Sequence, residues 1–485
     1  MEREDTLKVK DLSFKFNQNE AWLINNLSFK LKENERVLLM GPSGCGKSTL
    51  AYLLSGLYPE YAGISKGSIS YRSLEIANLK AERRAAIVSI VFQNPDDQFS
   101  MESVEGELFF ALENAAYGGE YQAKAAELLA LVGLKGFEKR KTEDLSGGEK
   151  QKLSLATALA VKPKLLILDE PLANLDRESA QEIVAILKRL SKKRLGLLII
   201  DHRPDFWLEF IDSLMLVDNN FRVVNLKLSP NEAKKNLDIF KRLQIFFPSG
   251  SGFSYYGEDT QVKDKRPWAA QSELMVRAEN LTLQRGAKLI LEGASFKAFK
   301  GTLTAVLGPS GCGKSSLLMA LAGIIKIKGW LDIKGGVGLI FQNPGFQFLS
   351  QTVRSEIILS LTHKRGDSQS LELIEKARNL AASFTLADFL DRSPWQLSQG
   401  QQRRLAVLSM LAAQKEFLLL DEPTYAQDLQ STVGIMSLLN DELKKGLTAI
   451  MVTHDLELAR AYADEIVIFN NKRLKVIDTD RYRSF

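Results

Sequence analysis

Residues 41–49 of the chain are Gly41-Pro42-Ser43-Gly44-Cys45-Gly46-Lys47-Ser48-Thr49, and a near-copy later reads Gly308-Pro309-Ser310-Gly311-Cys312-Gly313-Lys314-Ser315-Ser316. Both stretches fit the pattern G-x-x-x-x-G-K-[ST], in which backbone N–H groups of a glycine-rich loop cradle the phosphates of a nucleotide. Each lysine would reach the β- and γ-phosphates, and the serine after it would ligate Mg²⁺. Because two near-identical matches do not arise from composition alone, the sequence predicts a duplicated nucleotide-binding protein.

The composition is that of a globular protein with two cores. With 485 residues, 45% of them hydrophobic and 25% charged, the chain has the size of two domains. Its net charge of +5 is small and neither requires nor excludes a nucleic-acid partner. No apolar run approaches the roughly 20 residues of a membrane-spanning helix, and residues 1–5 lack a signal-peptide pattern. We therefore expect a cytoplasmic chain with no transmembrane segment of its own.

Cysteine usage gives no sign of a disulfide framework or a cysteine zinc site. The two cysteines of the chain, Cys45 and Cys312, both lie inside the glycine-rich loops. Small side chains that fit a tight loop are the simpler interpretation of both.

The flanking segments give the first loop the strand–loop–helix setting that phosphate binding requires. Apolar and polar residues alternate over 12–16 and near 27–31, as in half-buried antiparallel strands, and Arg36–Met40 is a short apolar strand that leads into the loop. Residues 49–57 are predicted as a helix whose N-terminal dipole faces the phosphate. Apolar positions three and four residues apart also predict helices over 103–116 and 121–133.

Three further motifs follow in order. Phe92-Gln93-Asn94-Pro95 ends a strand in a polar turn, and Leu145-Ser146-Gly147-Gly148-Glu149 opens a helix whose glycines let backbone N–H groups approach an anion. A buried parallel strand over 165–168 runs into Asp169 and Glu170, at the edge where α/β sheets place their chemistry. A second buried strand, over 197–200, leads to His202.

The second half repeats this order. Its motifs are Phe341-Gln342-Asn343-Pro344, Leu397-Ser398-Gln399-Gly400-Gln401, Asp421-Glu422 and Thr453-His454-Asp455. In both halves the strand-end aspartate lies 23 residues after the serine, and the histidine lies 33 residues after that aspartate. The glutamine follows the loop lysine by 46 residues in the first half but by 28 in the second. The second half therefore lacks a peripheral segment equivalent to much of Arg72–Ser89.

The boundary between the repeats lies in a stretch rich in Pro, Gly and Ser. Residues 230–243 are predicted as an amphipathic helix, and Pro248-Ser249-Gly250-Ser251-Gly252 opens a flexible polar linker that runs to about Ser272. We therefore predict a first domain over 1–247, a linker over 248–272 and a second domain over 273–485.

These motifs, in this order, resemble the ATPase subunits of ATP-binding-cassette (ABC) transporters over nearly the whole chain, and 145–149 and 397–401 are similar to the family's LSGGQ signature. The resemblance implies an α/β fold of two tandem P-loop NTPase domains, each with a RecA-like core, an antiparallel β subdomain and a helical subdomain. It also implies that the two halves clamp face to face on ATP. One composite site would pair Lys47 with Ser398, and the other would pair Lys314 with Ser146.

The resemblance also assigns roles to residues. Glu170 and Glu422 would polarise the attacking water, and His202 and His454 would contact the γ-phosphate. The implied ligands of Mg²⁺ are Ser48, Gln93, Asp169, Ser315, Gln342 and Asp421. The implied ATP contacts are Phe16, both loops (Gly41–Thr49 and Gly308–Ser316), Gln93, Gln342, Ser146, Gly147, Gly148, Ser398 and Gly400. A lone histidine or Asp-Glu pair is ordinarily a solvated surface feature, but two of only three histidines occupy matching positions, and His363 fits no motif.

Departures from the family pattern distinguish the two halves. Phe16 stands where the family stacks an aromatic ring on adenine, whereas Arg285, whose guanidinium can also stack, takes that place in the second half. Gln399 replaces a signature glycine, and the segment after the glutamate is Ala173–Asp176 in one half and Tyr425–Asp428 in the other. Because both glutamates and both histidines are kept, we predict two hydrolytic sites that differ in rate.

Residues 92–99, Phe-Gln-Asn-Pro-Asp-Asp-Gln-Phe, look like the glutamine loop of energy-coupling-factor vitamin importers, and 341–348 are a weaker match. In that family two ATPases, separate or fused, drive a transmembrane coupling subunit and a substrate-capture subunit. The resemblance implies those partners, a peripheral location at the cytoplasmic face of the membrane, and uptake of a vitamin, vitamin precursor or metal ion. Coupling helices there carry arginines, for which the candidate partners are Glu102, Glu105, Glu107 and Glu356; a solvated acidic helix face is an equal interpretation.

Two alternatives stay open. One is the tandem ATPase of another importer, for example for a sugar. The other is a soluble tandem ABC protein that acts on ribosomes or DNA. The ribosomal type typically has a long, highly charged helical linker and the DNA-repair type inserts zinc-binding cysteines, and neither feature occurs in this sequence. We therefore expect no nucleic-acid partner.

Overall fold

The computed structural model describes residues 5–173, 175, 177–192, 195–247, 256, 273–286, 288–309, 311–362, 370–424 and 427–477. The chain divides into two units, Met1–Gly252 and Phe253–Phe485, each of the α/β class. Within the predicted linker, 248–272, only Tyr256 is among the described residues.

The first unit combines two sheets with helices. Its strands are β1 (Asp5–Lys15), β2 (Ile24–Lys32), β3 (Arg36–Met40), β4 (Ile64–Tyr71), β5 (Leu74–Glu75), β6 (Val88–Val91), β7 (Leu165–Asp169), β8 (Gly196–Ile200), β9 (Ser213–Val217) and β10 (Val223–Leu228). Its helices are α1 (Lys47–Leu54), α2 (Ala81–Ile87), α3 (Val104–Asn114), α4 (Tyr121–Val132), α5 (Gly147–Ala160), α6 (Arg177–Ser191), α7 (Pro230–Lys235) and α8 (Leu237–Leu243).

The motifs of this unit follow the carboxyl ends of parallel strands in the larger sheet. Its strand order is β10-β9-β3-β8-β7-β6, and β3 pairs in parallel with both β8 and β9. Strands β7, β8 and β9 are buried at every position, in agreement with sequences that are apolar except for Asp169 and Ser213. The smaller antiparallel sheet has the order β2-β1-β4-β5, and α3, α4 and α5 pack together as a helical group.

The second unit repeats this plan. Its strands are β11 (Leu274–Arg285), β12 (Lys288–Phe299), β13 (Leu303–Leu307), β14 (Lys328–Ile333), β15 (Val337–Ile340), β16 (Phe417–Asp421), β17 (Thr448–Val452), β18 (Glu465–Asn470) and β19 (Arg473–Ile477). Its helices are α9 (Lys314–Leu321), α10 (Val353–Thr362), α11 (Leu371–Ser383), α12 (Gln399–Ala412), α13 (Leu429–Lys444) and α14 (Leu456–Tyr462). The sheets have the orders β12-β11-β14 and β15-β16-β17-β13-β18-β19.

The predicted deletion in the second half is confirmed. In the first unit, β5, a 3₁₀ turn at Ile76–Asn78 and α2 lie between β4 and β6. In the second unit, β14 leads to β15 across only three residues, 334–336. The lost elements belong to the rim of the small sheet and to one helix before the glutamine motif, so the buried strands that carry the motifs are unaffected.

The sequence predictions of local structure hold with two corrections. The strands before the loop and the helices near 103–116 and 121–133 are present as β1, β2, α3 and α4. The helix after the loop begins at Lys47 and ends at Leu54, earlier than predicted at both ends. The single helix predicted over 230–243 is wrong, because Asn236, with φ −109° and ψ 54°, breaks it into α7 and α8. Among the described residues no helix is long and apolar enough to cross a membrane.

Candidate ATP sites

The first phosphate loop joins β3 to α1, and its lysine lies over the loop. The ammonium of Lys47, a residue that is 6% exposed, donates to the carbonyl oxygens of Gly41 and Pro42 at 2.8 and 2.7 Å. Gly46 precedes α1 with a φ of 112°, an angle that residues other than glycine rarely adopt. A Cβ atom on Gly41 would lie 2.4 Å from Cγ2 of Val217. Both glycines are therefore required for the loop to present the helix N-terminus to a phosphate.

The second phosphate loop has the same geometry between β13 and α9. Lys314 donates to the carbonyl oxygens of Gly308 and Pro309 at 2.8 and 2.9 Å, and Gly313 has a φ of 111°. The predicted contact residue Ser310 lies outside the described residues. The similarity of the two loops thus extends from sequence to hydrogen bonding.

Each loop serine lies near the strand-end aspartate of its own unit. The hydroxyl of Ser48 favours the charged form of Asp169 and so lowers its pKa, and the hydroxyl of Ser315 does the same for Asp421. Burial, and then the charge of Glu170, raises the pKa of Asp169 from its ordinary 3.8 to about 6. Burial likewise raises the pKa of Asp421.

The donor set beside Asp169 fits Mg²⁺. The residue is 1% exposed, and its Oδ1 atom is buried with no hydrogen-bond partner among the described residues. Mg²⁺ takes oxygen ligands and commonly uses one or two carboxylates together with water and substrate phosphates. In the part of the chain that the structure describes, no group of three or more His, Cys, Asp or Glu side chains could hold a metal. Ser48 and Asp169 would therefore hold a cation that the nucleotide also ligates.

Both candidate catalytic glutamates have an unusual backbone. Glu170 and Glu422 have φ values of 47° and 51°, in the left-handed region that non-glycine residues seldom occupy. Their backbone N–H groups donate to the carbonyl oxygens of Ile200 and Val452 at 2.8 and 3.0 Å. Such conformations cost energy and concentrate at functional sites. The shared outlier distinguishes these residues from ordinary strand ends.

In the first unit the carboxylate of Glu170 lies between two other predicted site residues. The amide Nε2 of Gln93 donates to Oε2 of Glu170 at 2.6 Å. On the other side, Nε2 of His202 lies 2.8 Å from Oε1 of Glu170. The structure therefore brings the glutamine, the glutamate and the histidine of the first unit together.

The second unit holds its glutamate differently. Nδ1 of His454 lies 3.1 Å from both carboxylate oxygens of Glu422. The side chain of Arg403, a residue that is 7% exposed, donates to the backbone carbonyl oxygen of Glu422, and its Nη2 donates to that of Gln342 at 2.6 Å. Gln342 itself is exposed. Here an arginine, rather than the glutamine side chain, joins the glutamine loop to the glutamate.

The first half has an uncharged residue at the position that corresponds to Arg403. The residue five positions after the signature serine is Gln151 in the first half and Arg403 in the second. Gln151 is 2% exposed, and its Nε2 atom has no hydrogen-bond partner among the described residues. The two sites therefore differ in structure as well as in sequence.

The signature serines begin long helices at exposed positions. Ser146 caps α5 and Ser398 caps α12, each helix being 14 residues long, and both serines form capping boxes. In the first unit the reciprocal partner is Glu149, whose Oε2 accepts from the backbone N–H of Ser146 at 2.7 Å. Each serine thus marks a helix N-terminus that can receive an anion. The side chain of Gln399 lies outside the described residues.

The predicted adenine contacts also differ between the units. Phe16 is 42% exposed and lies edge-on to the rings of Phe14 and Tyr58, with centroids 5.1 and 6.0 Å away. Arg285 ends β11, is exposed, and is opposite Lys288 in the hairpin register. An exposed ring and an exposed guanidinium can each stack on a base. Of the segments after the glutamates, 174, 176, 425 and 426 lie outside the described residues, as does His363.

The glutamine loops are attached to the signature helices. Nε2 of Gln98 donates to Oγ1 of Thr157 on α5 at 3.3 Å, and Nε2 of Gln347 donates to the carbonyl oxygen of Ala406 on α12 at 3.2 Å. The side chain of Lys150, also on α5, pairs with Asp96 at 2.6 Å. Movement of either loop would therefore act on the helix that begins at the signature.

Two of the four acidic residues considered as arginine partners have a different role. Glu107 and Glu356 are each 4% exposed, and each accepts two backbone N–H groups through Oε2, from Ser100 and Met101 and from Leu349 and Ser350, respectively. They hold the end of each glutamine loop, and the expectation that they face a partner's arginine is wrong. Glu102 is exposed and Glu105 is half-buried, so these two stay available.

Sequence reasoning missed the residues that support the motifs from outside them. Arg403 is one example, and Trp207 is another. Nε1 of Trp207 donates to Oδ2 of Asp201, the residue before His202, at 2.9 Å. A comparison of the two halves at equal distance from the signature serine would have singled out Arg403, since Gln151 occupies that position in the first half. No comparable signal pointed to Trp207.

The folds and sites define a tandem ATP-binding protein, and comparison with known proteins supplies its family. The family described as ABC transporter matches residues 24–173 and 291–425. A Bacillus subtilis protein named as an HMP/thiamine import ATP-binding protein is 34% identical, over 97% of this chain and 91% of its own length. A Methanosarcina mazei protein named as an ABC transporter ATP-binding protein is 29% identical, over 96% and 88%. The chain belongs to the ABC transporter family, and it is an ATPase with two ATP-binding domains.

Solved structures agree with this fold. The structure of an "RNase-L Inhibitor" matches with a TM-score of 0.63 over 96% of this chain and 90% of that chain, at 20% identity. A complex of an archaeal ribosomal stalk protein with the ribosome recycling factor aABCE1 matches with a TM-score of 0.64, also at 20% identity. At this identity the likeness shows the fold alone.

Proposed function

We propose that the chain is the fused ATPase of an importer of the energy-coupling-factor type. It hydrolyses ATP at two composite sites, one formed by Lys47 with Ser398 and the other by Lys314 with Ser146. Hydrolysis drives uptake of a vitamin, vitamin precursor or metal ion through a transmembrane coupling subunit and a substrate-capture subunit. The chain acts at the cytoplasmic face of the membrane, without a nucleic-acid partner.

The hydrogen bond from Gln93 to Glu170 is the observation that carries this proposal. The loop containing Gln93 also contains Asp96 and Asp97, which are exposed, and leads to exposed Glu102. An exposed acidic segment is suited to a basic helix of a membrane partner. The same loop also contacts the carboxylate that would activate water. A partner that docks on the exposed part of the loop could therefore act on Glu170 through the hydrogen bond from Gln93.

The chemistry follows from the residues that surround the γ-phosphate position. Phosphoryl transfer needs positioning and charge neutralisation, which Lys47 and the N-terminus of α1 provide for the phosphates. Glu170, held by Gln93 and His202, orients the attacking water and accepts its proton. Ser48 and Asp169 would hold Mg²⁺, which would supply positive charge to offset the charge that develops on the phosphates. Ser398 and the N-terminal N–H groups of α12 complete the site from the other half.

The class of substrate is inferred from similarity. The Bacillus subtilis relative, which shares 34% of its aligned residues over nearly the full length of both chains, is named for HMP/thiamine import. The match of 92–99 to the glutamine loop of vitamin importers points the same way. We therefore place HMP and thiamine first among the substrates to test.

The test is ATP-driven uptake by a reconstituted complex. The chain is co-expressed with a candidate coupling subunit and capture subunit, purified in detergent and placed in vesicles. Labelled HMP or thiamine is supplied outside, and Mg-ATP is available to the chain. We expect uptake that requires ATP and is lost in the Glu170→Gln, Glu422→Gln double variant. Co-purification with ribosomes or DNA and no membrane partner would refute the importer assignment, and uptake of a sugar instead would refute the vitamin assignment.

A further inference from the structure

We propose that Tyr256 is a positioning residue of the second ATP site, acting through Asp455 on His454. Tyr256 lies in the sequence predicted as linker, yet it is 1% exposed and belongs to the second unit. Its hydroxyl donates to Oδ2 of Asp455 at 3.0 Å. The inference rests on the proposed function, because it assumes that the second site hydrolyses ATP.

The ring of Tyr256 makes a packing contact in addition to the hydrogen bond of its hydroxyl. It lies edge-on to the ring of Tyr462 at the end of α14, with centroids 5.7 Å apart and planes at 68°. An edge-to-face aromatic pair of this kind stabilises the contact beyond simple burial. Tyr256, which lies 199 positions before Asp455, is thereby held against α14, the helix that follows His454.

Asp455 links this contact to the site through the backbone. Its Oδ1 atom caps α14 by accepting from the N–H of Leu458 at 3.0 Å, while its own N–H donates to Oγ1 of Thr453 at 3.1 Å. Asp455 is 8% exposed, so each hydrogen bond to its carboxylate compensates for lost hydration. His454 lies between Thr453 and Asp455, and fixing both neighbours fixes the residue whose Nδ1 is 3.1 Å from Glu422.

The first unit achieves the same support with a local residue. There Oδ2 of Asp201 accepts from Nε1 of Trp207, and Oδ1 accepts from the backbone N–H of Arg203, on either side of His202. In both units an aspartate adjacent to the histidine accepts from a buried aromatic N–H or O–H donor. The donor is six residues away in the first unit, whereas in the second it is 199 residues away, in the stretch that the sequence predicts as linker.

The test is NMR of the histidine side chains in the full chain, which has only three histidines. With ¹³C-labelled histidine, the spectrum has three residues to assign, His202, His363 and His454, and His363→Gln identifies one of them. We expect Tyr256→Phe, which removes only the hydroxyl, to shift the His454 resonance and leave His202 in place. The matched control, Trp207→Phe, should shift His202 and leave His454. Unchanged His454 in Tyr256→Phe, or equal shifts of both histidines, would overturn the proposal.

Turnover supplies the second readout. In a Glu170→Gln background, which leaves the second site to hydrolyse, Tyr256→Phe should lower kcat about tenfold, as expected for loss of one hydrogen bond to a charged group, with KM for ATP unchanged. Adding Tyr256→Phe to Asp455→Ala, which has already lost the acceptor, should then have little further effect. Full additivity of the two changes would refute the coupling. Absent turnover in the Glu170→Gln parent would instead count against second-site hydrolysis, while the resonance test of Tyr256 still stands.

Discussion

Nε2 of Gln93 lies 2.6 Å from Oε2 of Glu170, so a side-chain hydrogen bond connects the glutamine loop of the first unit to its candidate catalytic carboxylate. The second unit has no described equivalent of this side-chain bond, because there the contact runs from Arg403 to the backbone of Gln342 and Glu422. The two halves have kept the same motifs but connect them through different atoms. This difference gives a structural basis for unequal sites.

Replacing Gln93 should affect the first site more than replacing Gln342 affects the second. In a Glu422→Gln background, Gln93→Ala should slow hydrolysis about tenfold, since loss of a hydrogen bond to a charged group costs about 1.5–3 kcal/mol. The matched control is Gln342→Ala in a Glu170→Gln background, with steady-state phosphate release as the measurement. Equal losses in the two backgrounds would contradict the asymmetry.

Replacing Arg403 should have the opposite selectivity. Arg403→Gln, which installs the residue of the first half, removes two buried donors and a cation near Asp421. We expect at least a tenfold fall in kcat at the second site, measured in the Glu170→Gln background. Arg403→Lys cannot form both bonds from one planar group and should rescue only part of the loss. An unaltered rate in Arg403→Gln would show that the guanidinium is dispensable.

Glu107 should act on stability rather than on partner binding. Glu107→Ala leaves the N–H groups of Ser100 and Met101 without their carboxylate acceptor, and we expect a loss of about 1–3 kcal/mol in the free energy of unfolding of the first unit. Glu105→Ala on the same helix should stay within about 0.5 kcal/mol. Urea unfolding together with hydrogen exchange at residues 100 and 101 distinguishes the two. If the amides of residues 100 and 101 stayed protected from exchange in Glu107→Ala as they do in Glu105→Ala, the role assigned to Glu107 would be contradicted.

Asp169 gives the first unit a distinctive dependence on pH. Its pKa is about 6 when folded against 3.8 ordinarily, so the folded unit binds this proton more tightly. The resulting stabilisation is present below pH 3.8 and is lost as the pH rises to about 6, by about 3 kcal/mol at ~1.4 kcal/mol per pKa unit. Urea unfolding in EDTA from pH 4 to 7 should show a smaller decline for Asp169→Asn than for the original chain. Parallel declines would contradict the raised pKa.

The sequence was sufficient for the features that lie within contiguous motifs. The loop around Lys47 and the strand before Asp169 were predictable because local pattern dictates local structure there. Spacing alone predicted that the second half lacks a segment before its glutamine motif, and the structure shows that this segment holds β5 and α2 in the first half. The break at Asn236 was missed because the apolar periodicity continues across it. Contacts such as Tyr256 with Asp455 depend on tertiary packing of distant residues, which no periodicity encodes.

The pairing of unlike halves is the central claim, and combining signature and glutamate variants tests it most directly. Ser398→Ala and Glu170→Gln should damage the same site, so the double variant should retain the ATPase rate of the slower single variant. Ser398→Ala with Glu422→Gln should instead abolish steady-state hydrolysis, because each change disables a different site. The Ser146→Ala series should show the mirror image. If Ser398→Ala were silent in the Glu422→Gln background and abolished activity in the Glu170→Gln background, each half would use its own signature, and the composite sites would be excluded.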